Sequence, residues 1–391
     1  RLDAARACSA RDGSPLPDGQ GPAHEVGPDQ FRRELPTCIR QATAGRTMSA
    51  ATDTGAPKQR SIGESVRKLL GYPEAGPFAL LVGAIIAFTL LNAAFISVLN
   101  IGNLLAFTPE LGMIALAMTL LMTSGEFDLS VGSVFGFTPV LMWMLFNEGF
   151  MGMELAFITA IGVAALIGLT NGLFVTKLGI PSFLVTLGML LVVRGSALWL
   201  TQGFPQRTWA SEGQPLAELI VGDFFVPTPW GDLRLFMSLF WFTLLAVILG
   251  YVLMASKFGN WIQAAGGNPL AATARGVRVA RTKIALFILT ACVAGYSGIT
   301  SSIRTASANP NSGTSYELEV IAMTVIGGTV LTGGKGTVIG TIIGVLLLRV
   351  MRNGIVMAGV PALAYRIFIG AIILGMMALH SYMQRRQRMM A

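Results

Sequence analysis

The chain has 391 residues, of which 53% are hydrophobic and 12% charged, and its mean hydropathy is +0.64. A water-soluble globular chain carries about 25% charge, so this composition excludes a soluble domain. The net charge of +8 does not argue for nucleic acid, because basic residues in a membrane chain first report topology. Cys8, Cys38 and Cys292 share no close spacing and histidine is limited to His24 and His380, so neither a disulfide framework nor a metal site is legible.

Residues 1–76 interleave Pro15, Pro17, Pro22, Pro28 and Pro36 with arginines, acids and glycines and show no periodicity, which predicts a disordered cytoplasmic tail. No apolar core of a signal peptide is present there, so insertion is expected through the first spanning helix. Met48-Ser49-Ala50-Ala51 reads as a leader, and residues 1–47 are expected to lie outside the native protein.

From Phe78 to Met383 the chain is a succession of apolar runs, each long enough to cross a bilayer core, which needs about 20 residues per helix. Spans are predicted at 78–98, 104–123, 129–147, 152–176, 180–201, 235–254, 283–303, 318–333, 337–352 and 360–382. The eighth and ninth are the shortest and read as half-helices or as a re-entrant pair. The link from Ala255 to Lys283 holds Lys257, Arg275, Arg278, Arg281 and Lys283 and no acid, whereas 202–234 sets Arg207 and Arg234 against Glu212, Glu218, Asp223 and Asp232. The first link is therefore cytoplasmic and the second external. The expected fold is all-α, a polytopic transmembrane helical bundle over residues 77–383 of about ten spans. Both termini are cytoplasmic, with a basic end at 384–391 that includes Arg385, Arg386 and Arg388. Arg304, Arg349 and Arg352 fall on the outer side and fit this scheme poorly.

Three interruptions carry the functional reading. In Gly125-Glu126-Phe127-Asp128-Leu129-Ser130-Val131-Gly132, an Asp beside apolar spans costs about 2.5–3.5 kcal/mol at a helix centre. Asp128 or Ser130 either caps the third helix or lines a solute path at a broken helix end. In the basic link, Asn268 suits an N-cap, Pro269 the first helical position, Arg275 the last turn and Gly276 the stop. A helix of about seven residues is unstable alone. It lies either on its own protein or lipid, or against a cytoplasmic partner that Ala271, Ala272 and Ala274 let approach. Gly327-Gly328-Thr329-Val330-Leu331-Thr332-Gly333-Gly334-Lys335-Gly336-Thr337 departs from a phosphate-binding loop at Thr329 and Gly336. It reads as a tight turn, with Gly336, Gly340 and Gly344 on one face of the ninth helix for packing within the chain or across a homodimer. Asn171, between Gly168 and Gly172, and Arg194 in the fifth span are further candidates for the substrate pathway. Arg194 either snorkels to the outer surface or holds a polar solute, and Glu110 after Pro109 is equally open. Neither an HExxH zinc pair nor a Ser/His nucleophile arrangement occurs in the spans, so a catalytic role is not expected.

Together these segments resemble the permease subunits of ABC-type importers for simple sugars, within a wider group that also carries nucleosides and branched-chain amino acids. The resemblance rests on Gly125 to Gly132, on Thr186-Leu187-Gly188 to Arg194-Gly195, on Gly266, Gly267, Asn268, Ala271, Ala272 and Gly276, and on Tyr316-Glu317-Leu318 to Gly336. It covers about residues 75–383. This chain departs from it at Gly125-Glu126-Phe127-Asp128, where many relatives have Gly-Gly-Ile-Asp, and in the long 202–234 link. The resemblance implies a transport subunit in a bacterial inner membrane that binds no cofactor itself. ATP would be used by a separate cytoplasmic ATPase docked on Gly267, Asn268, Pro269, Ala272, Arg275 and Gly276. A soluble binding protein would deliver a monosaccharide from outside, and a second permease copy would complete the path. A secondary transporter driven by an ion gradient is the alternative; its candidate relays are Glu110, Glu126 and Asp128.

Overall fold

The structure, a computed structural model, describes residues 74–208 and 214–361, together with 367, 370, 371, 374 and 375. The chain divides into two units, Arg1–Ile62 and Gly63–Ala391. The first lies wholly outside the described residues, as do the expected basic end at 384–391 and most of the tenth predicted span. Everything below concerns the second unit.

The described residues are mostly helical. In chain order the elements are α1 (Ala75–Leu91), a 3-10 turn (Ala93–Ile96), α2 (Val98–Thr123), α3 (Val131–Asn147), α4 (Met153–Lys177), α5 (Ser182–Thr201), β1 (Gln206–Arg207), α6 (Pro215–Val221), β2 (Asp223–Thr228), β3 (Gly231–Phe236), α7 (Met237–Ala255), α8 (Lys257–Gly267), α9 (Pro269–Ala274), α10 (Val279–Arg304), β4 (Ser307–Ala308), α11 (Tyr316–Ile326) and α12 (Val338–Met357). Helices α2, α4, α5, α7, α10 and α12 are long and apolar enough to cross a bilayer; α1 and α3 are apolar at 17 residues each. The chain is a multi-pass membrane protein.

Helix α2 forms the centre of the bundle, buried along most of its length, with α7, α10, α11 and α12 packed around it. By contrast α4, α5 and α7 keep broad apolar faces exposed, including Leu166, Leu191 and Val247. In a bilayer such faces need no partner, because lipid tails are as apolar as leucine.

Two expectations are revised, and one link gains internal structure. The eighth span is not 318–333 but the 11-residue α11, after which residues 327–337 form a non-helical turn. Three positive-φ glycines in that stretch, Gly328, Gly333 and Gly334, take conformations no helix accommodates. Gly336 is not on the ninth helix, because Thr337 caps α12: its Oγ1 accepts from Gly340 N at 2.8 Å and starts the helix at Val338. The 202–234 link, expected only to be external, is structured. It carries α6 and a β2–β3 hairpin paired from Asp223↔Phe236 to Thr228↔Gly231, while β1 pairs with the distant β4.

Candidate functional site

The three interruptions meet at one end of the bundle. Gly334 N donates to Thr123 O at 2.8 Å, joining the 327–337 turn to the last turn of α2. A methyl group on Gly333 would sit 2.8 Å from Gly125 Cα and 3.0 Å from Gly266 Cα, and one on Gly334 would lie 3.0 Å from Gly267 Cα. Three backbones, from 123–125, 266–267 and 333–334, are thus stacked without intervening side chains. Gly125 and Gly333 also have φ of +86° and +83°, in the left-handed region that side chains resist. Replacing Gly333 by Ala should therefore lower stability by about 2–4 kcal/mol, from the backbone and overpacking terms together. The check is the thermal unfolding midpoint of the purified chain in detergent, with Gly276→Ala as comparison: Gly276 has φ +84° but nothing within 4 Å of its would-be Cβ.

Directly beyond this junction lies α9. Asn268 caps it, its Oδ1 accepting from Ala271 N at 3.0 Å, with Pro269 at the first position, as expected from the sequence. The helix has 6 residues. Ala272 alone is buried in it, while Leu270 is 85% exposed. The preceding α8, capped by Ser256 through Gly259 N, lies buried on one side through Ile262 and Ala265 and so fixes where α9 projects. The sequence reading had no signal for α8 beyond a serine ahead of it.

Deeper than the junction, the α2–α3 break carries a buried polar group. Asp128 Oδ1 accepts from Ser130 N at 2.7 Å and from Ser130 Oγ at 2.6 Å. Asn171 Nδ2 donates to Ser130 Oγ at 3.0 Å and to Asp128 Oδ2 at 3.3 Å. Asp128, Ser130 and Asn171 are thereby brought together, and all three are fully buried. Gly168 and Gly172, flanking Asn171, permit this. A methyl on Gly168 would lie 2.8 Å from Ile288 Cα and one on Gly172 2.9 Å from Ile284 Cα, so α4 packs backbone-to-backbone on α10. Asp128 organises the turn before α3 rather than capping N–H groups inside it. Asn171 Oδ1 is without a hydrogen-bond partner among the described residues.

Arg194 is elsewhere. Its Nη1 donates to Pro310 O at 2.6 Å and Ser312 O at 2.7 Å, and its Nη2 to Gly132 O at 2.9 Å. The guanidinium is taken up by these backbone carbonyls rather than snorkelling, and it ties the 309–315 segment to the start of α3. A cavity of about 350 Å³ does lie between α2, α4, α7 and α10, but its lining, including Met113, Ile161, Leu245 and Cys292, is apolar. It contains none of the predicted pathway residues.

Two ion pairs were missed as pairs by the sequence reading. Lys283 Nζ lies 2.5 Å from Glu126 Oε1, joining the first turns of α10 to the α2–α3 break. Glu110 and Arg304 form a pair that is 3% and 8% exposed, Arg304 Nε donating to Glu110 Oε1 at 3.0 Å. No local pattern links residues so far apart. The only hint was that Arg304 stood where the charge bias did not want it. Gly340 and Gly344 pack within the chain, against Gly327 and Met323 of the α11 segment, and Gly336 packs against Thr123 and Thr329.

Comparison with known proteins shows which family the chain belongs to. Residues 100–377 match the family described as branched-chain amino acid transport system / permease component. The chain is 33% identical over 310 residues to the ribose import permease protein RbsC of Escherichia coli (strain K12), covering 76% of this chain and 89% of that one. Against the ribose import permease protein RbsC of Bacillus subtilis (strain 168) it is 33% identical over 299 residues, covering 76% and 90%. Against the xylose/arabinose import permease protein XylH of Sulfolobus acidocaldarius it is 32% identical over 315 residues, covering 78% and 84%. No solved structure matches the chain. The chain belongs to the branched-chain amino acid transport system permease family.

Proposed function

We propose that this chain is the permease subunit of an ATP-binding-cassette importer in a bacterial inner membrane, forming the translocation path for a monosaccharide or similar small polar solute. Sugar is favoured over amino acid because the relatives just described are named for ribose, xylose and arabinose. In this reading the junction end is cytoplasmic, consistent with the five basic residues and no acid from Ala255 to Lys283. Ten spans then leave both termini inside, with residues 1–76 and 384–391 as cytoplasmic extensions of the 77–383 permease domain. ATP is hydrolysed by a partner ATPase, a soluble binding protein delivers the solute outside, and two permease copies line one path.

The observation that carries the ATPase partner is α9: a rigidly capped, 6-residue helix that projects Leu270 away from its own protein. A helix this short is held by docking, and its position beside Gly266 and Gly267 gives motion at α9 a direct backbone route to the α2 end. Asp128, Ser130 and Asn171 sit on the far side of that joint, where a shift of the break would be felt. Any ATP-driven bias between outward- and inward-open states requires a contact that differs between them, and the glycine junction is the one assigned here.

The test is purification from native membranes in mild detergent, followed by uptake in proteoliposomes. An ATPase recovered near one-to-one, with uptake that needs ATP and ignores an uncoupler at clamped ATP, supports the importer. The chain recovered alone and transporting on an ion gradient without ATP would sink it in favour of a secondary transporter. Leu270→Asp should reduce ATPase recovery by at least about tenfold, the loss expected from a centrally docked apolar side chain, while the unfolding midpoint stays unchanged.

A further inference from the structure

We infer that the segment 305–315, the start of α11 and the Glu110–Arg304 pair form the wall of an aqueous solute site at mid-membrane depth, suited to a neutral polyhydroxylated solute. The inference rests on the importer reading for the solute class; the placement of the site rests on geometry alone.

Depth comes first. Helix α11 has its C-terminal end at the glycine junction, with Met323 against Gly344 and Gly327 against Gly340, near where Thr119 meets Thr341 at 2.6 Å. Its 11 residues rise about 16 Å, roughly half of a 30 Å bilayer core. Tyr316 therefore lies near the midplane. Glu110 does too, twelve residues after Val98 and thirteen before Thr123 in α2. From there to β4, at the opposite end of the bundle, the chain has no helix: residues 309–315 cross this depth as irregular backbone, tied by Arg194 to α5 and α3.

Irregular backbone at membrane depth persists only where protein buries it or water reaches it. One side of the segment is buried against Gly132, Gly136 and Phe135. On its other side Asn311 and Thr314 are exposed, so that side cannot face lipid. Just before the segment, Arg304 pairs with Glu110 and stacks 3.8 Å from the Phe107 ring centroid; Phe107 is 45% exposed. From α12, Arg349 is buried in the same layer, and its Nε has no hydrogen-bond partner among the described residues. Charged residues inside a membrane, beside a discontinuous helix, are the usual makings of a transporter binding site. A neutral polyol suits this one: carboxylate and guanidinium groups already paired with each other can each still bond hydroxyls, and an aromatic ring takes an apolar C–H face.

The test uses the full-length chain with Cys8, Cys38 and Cys292 changed to Ser and a single new cysteine at Thr314 or Phe107. A membrane-impermeant maleimide probes reactivity in membranes. Thr314→Cys and Phe107→Cys should react at least about tenfold faster than Leu191→Cys on the exposed apolar face of α5, because only a hydrated thiol ionises. A mixture of D-ribose, D-xylose and L-arabinose should slow that reaction, and Arg349→Met should weaken the protection about tenfold. Reactivity no faster than Leu191→Cys would overturn the aqueous wall; fast reaction that the sugars do not slow would overturn the solute contact. ATPase co-purification from the same preparation reads the importer assignment separately, since its loss leaves the cysteine rates unaffected.

Discussion

Reversing one charge, Glu126→Lys, should cut sugar uptake at least about tenfold, and adding Lys283→Glu in the same chain should restore most of it. The two side chains are 14% and 15% exposed and 2.5 Å apart. Their pairing is therefore worth more than an exposed bridge, at about 0–1 kcal/mol, and less than a fully buried one, whose disruption costs about 3–5 kcal/mol. Two lysines facing each other across the α2–α3 break would push that break away from α10, four residues into which Lys283 lies. Helix α10 follows α9 after a short link, so the bridge is a second tie, beside the glycine junction, between α9 and the break that holds Asp128. The reading requires that each single reversal impair uptake while ATP hydrolysis by the assembled complex continues. A double reversal no better than the singles would show that the charges act separately, and would remove the bridge from the coupling route.

Arg194→Met should have the largest effect on stability, on the order of 4 kcal/mol. The substitution keeps an apolar stem of similar length but removes the donors for Pro310 O, Ser312 O and Gly132 O together. Those carbonyls lie where water cannot replace the arginine freely, so each retains much of its desolvation cost. A methyl on Gly136 would come within 3.0 Å of Arg194 Nη1, which shows how closely α3 is packed around the head group. Arg194→Lys should recover part of the loss, since an ammonium offers three donors but not the planar fork that spans three acceptors. The measurement is the thermal midpoint in detergent, together with protease sensitivity within 305–315. A midpoint unchanged in Arg194→Met would mean that the segment is held by its other contacts.

Much of this was legible in the amino-acid sequence because its causes are local. Apolar length marks a spanning helix wherever it occurs. Asn268-Pro269 announces the start of α9 through its own hydrogen bond and fixed φ, and the acid-free run from Lys257 to Lys283 carries its topological signal in composition alone. The glycines of 125, 266–267 and 327–336 were likewise visible as interruptions, since nothing within a helix asks for them. Their meeting was not visible. Three segments separated by more than sixty residues each stack through absent side chains, and an absence leaves no pattern that says what fills the space. Arg304 and Arg349 were misplaced for a related reason: a charge count treats every arginine as solvated, whereas Glu110 and Phe107 bring Arg304 inward from a distant helix. Arg194 and α11 depended on the same long-range geometry, one because its partners are backbone carbonyls that any sequence would supply, the other because its length is set by the turn it must reach. Local chemistry thus determined that this is a helical membrane protein and where its helices break; the tertiary structure alone decided which breaks touch, because close approach depends on both partners at once.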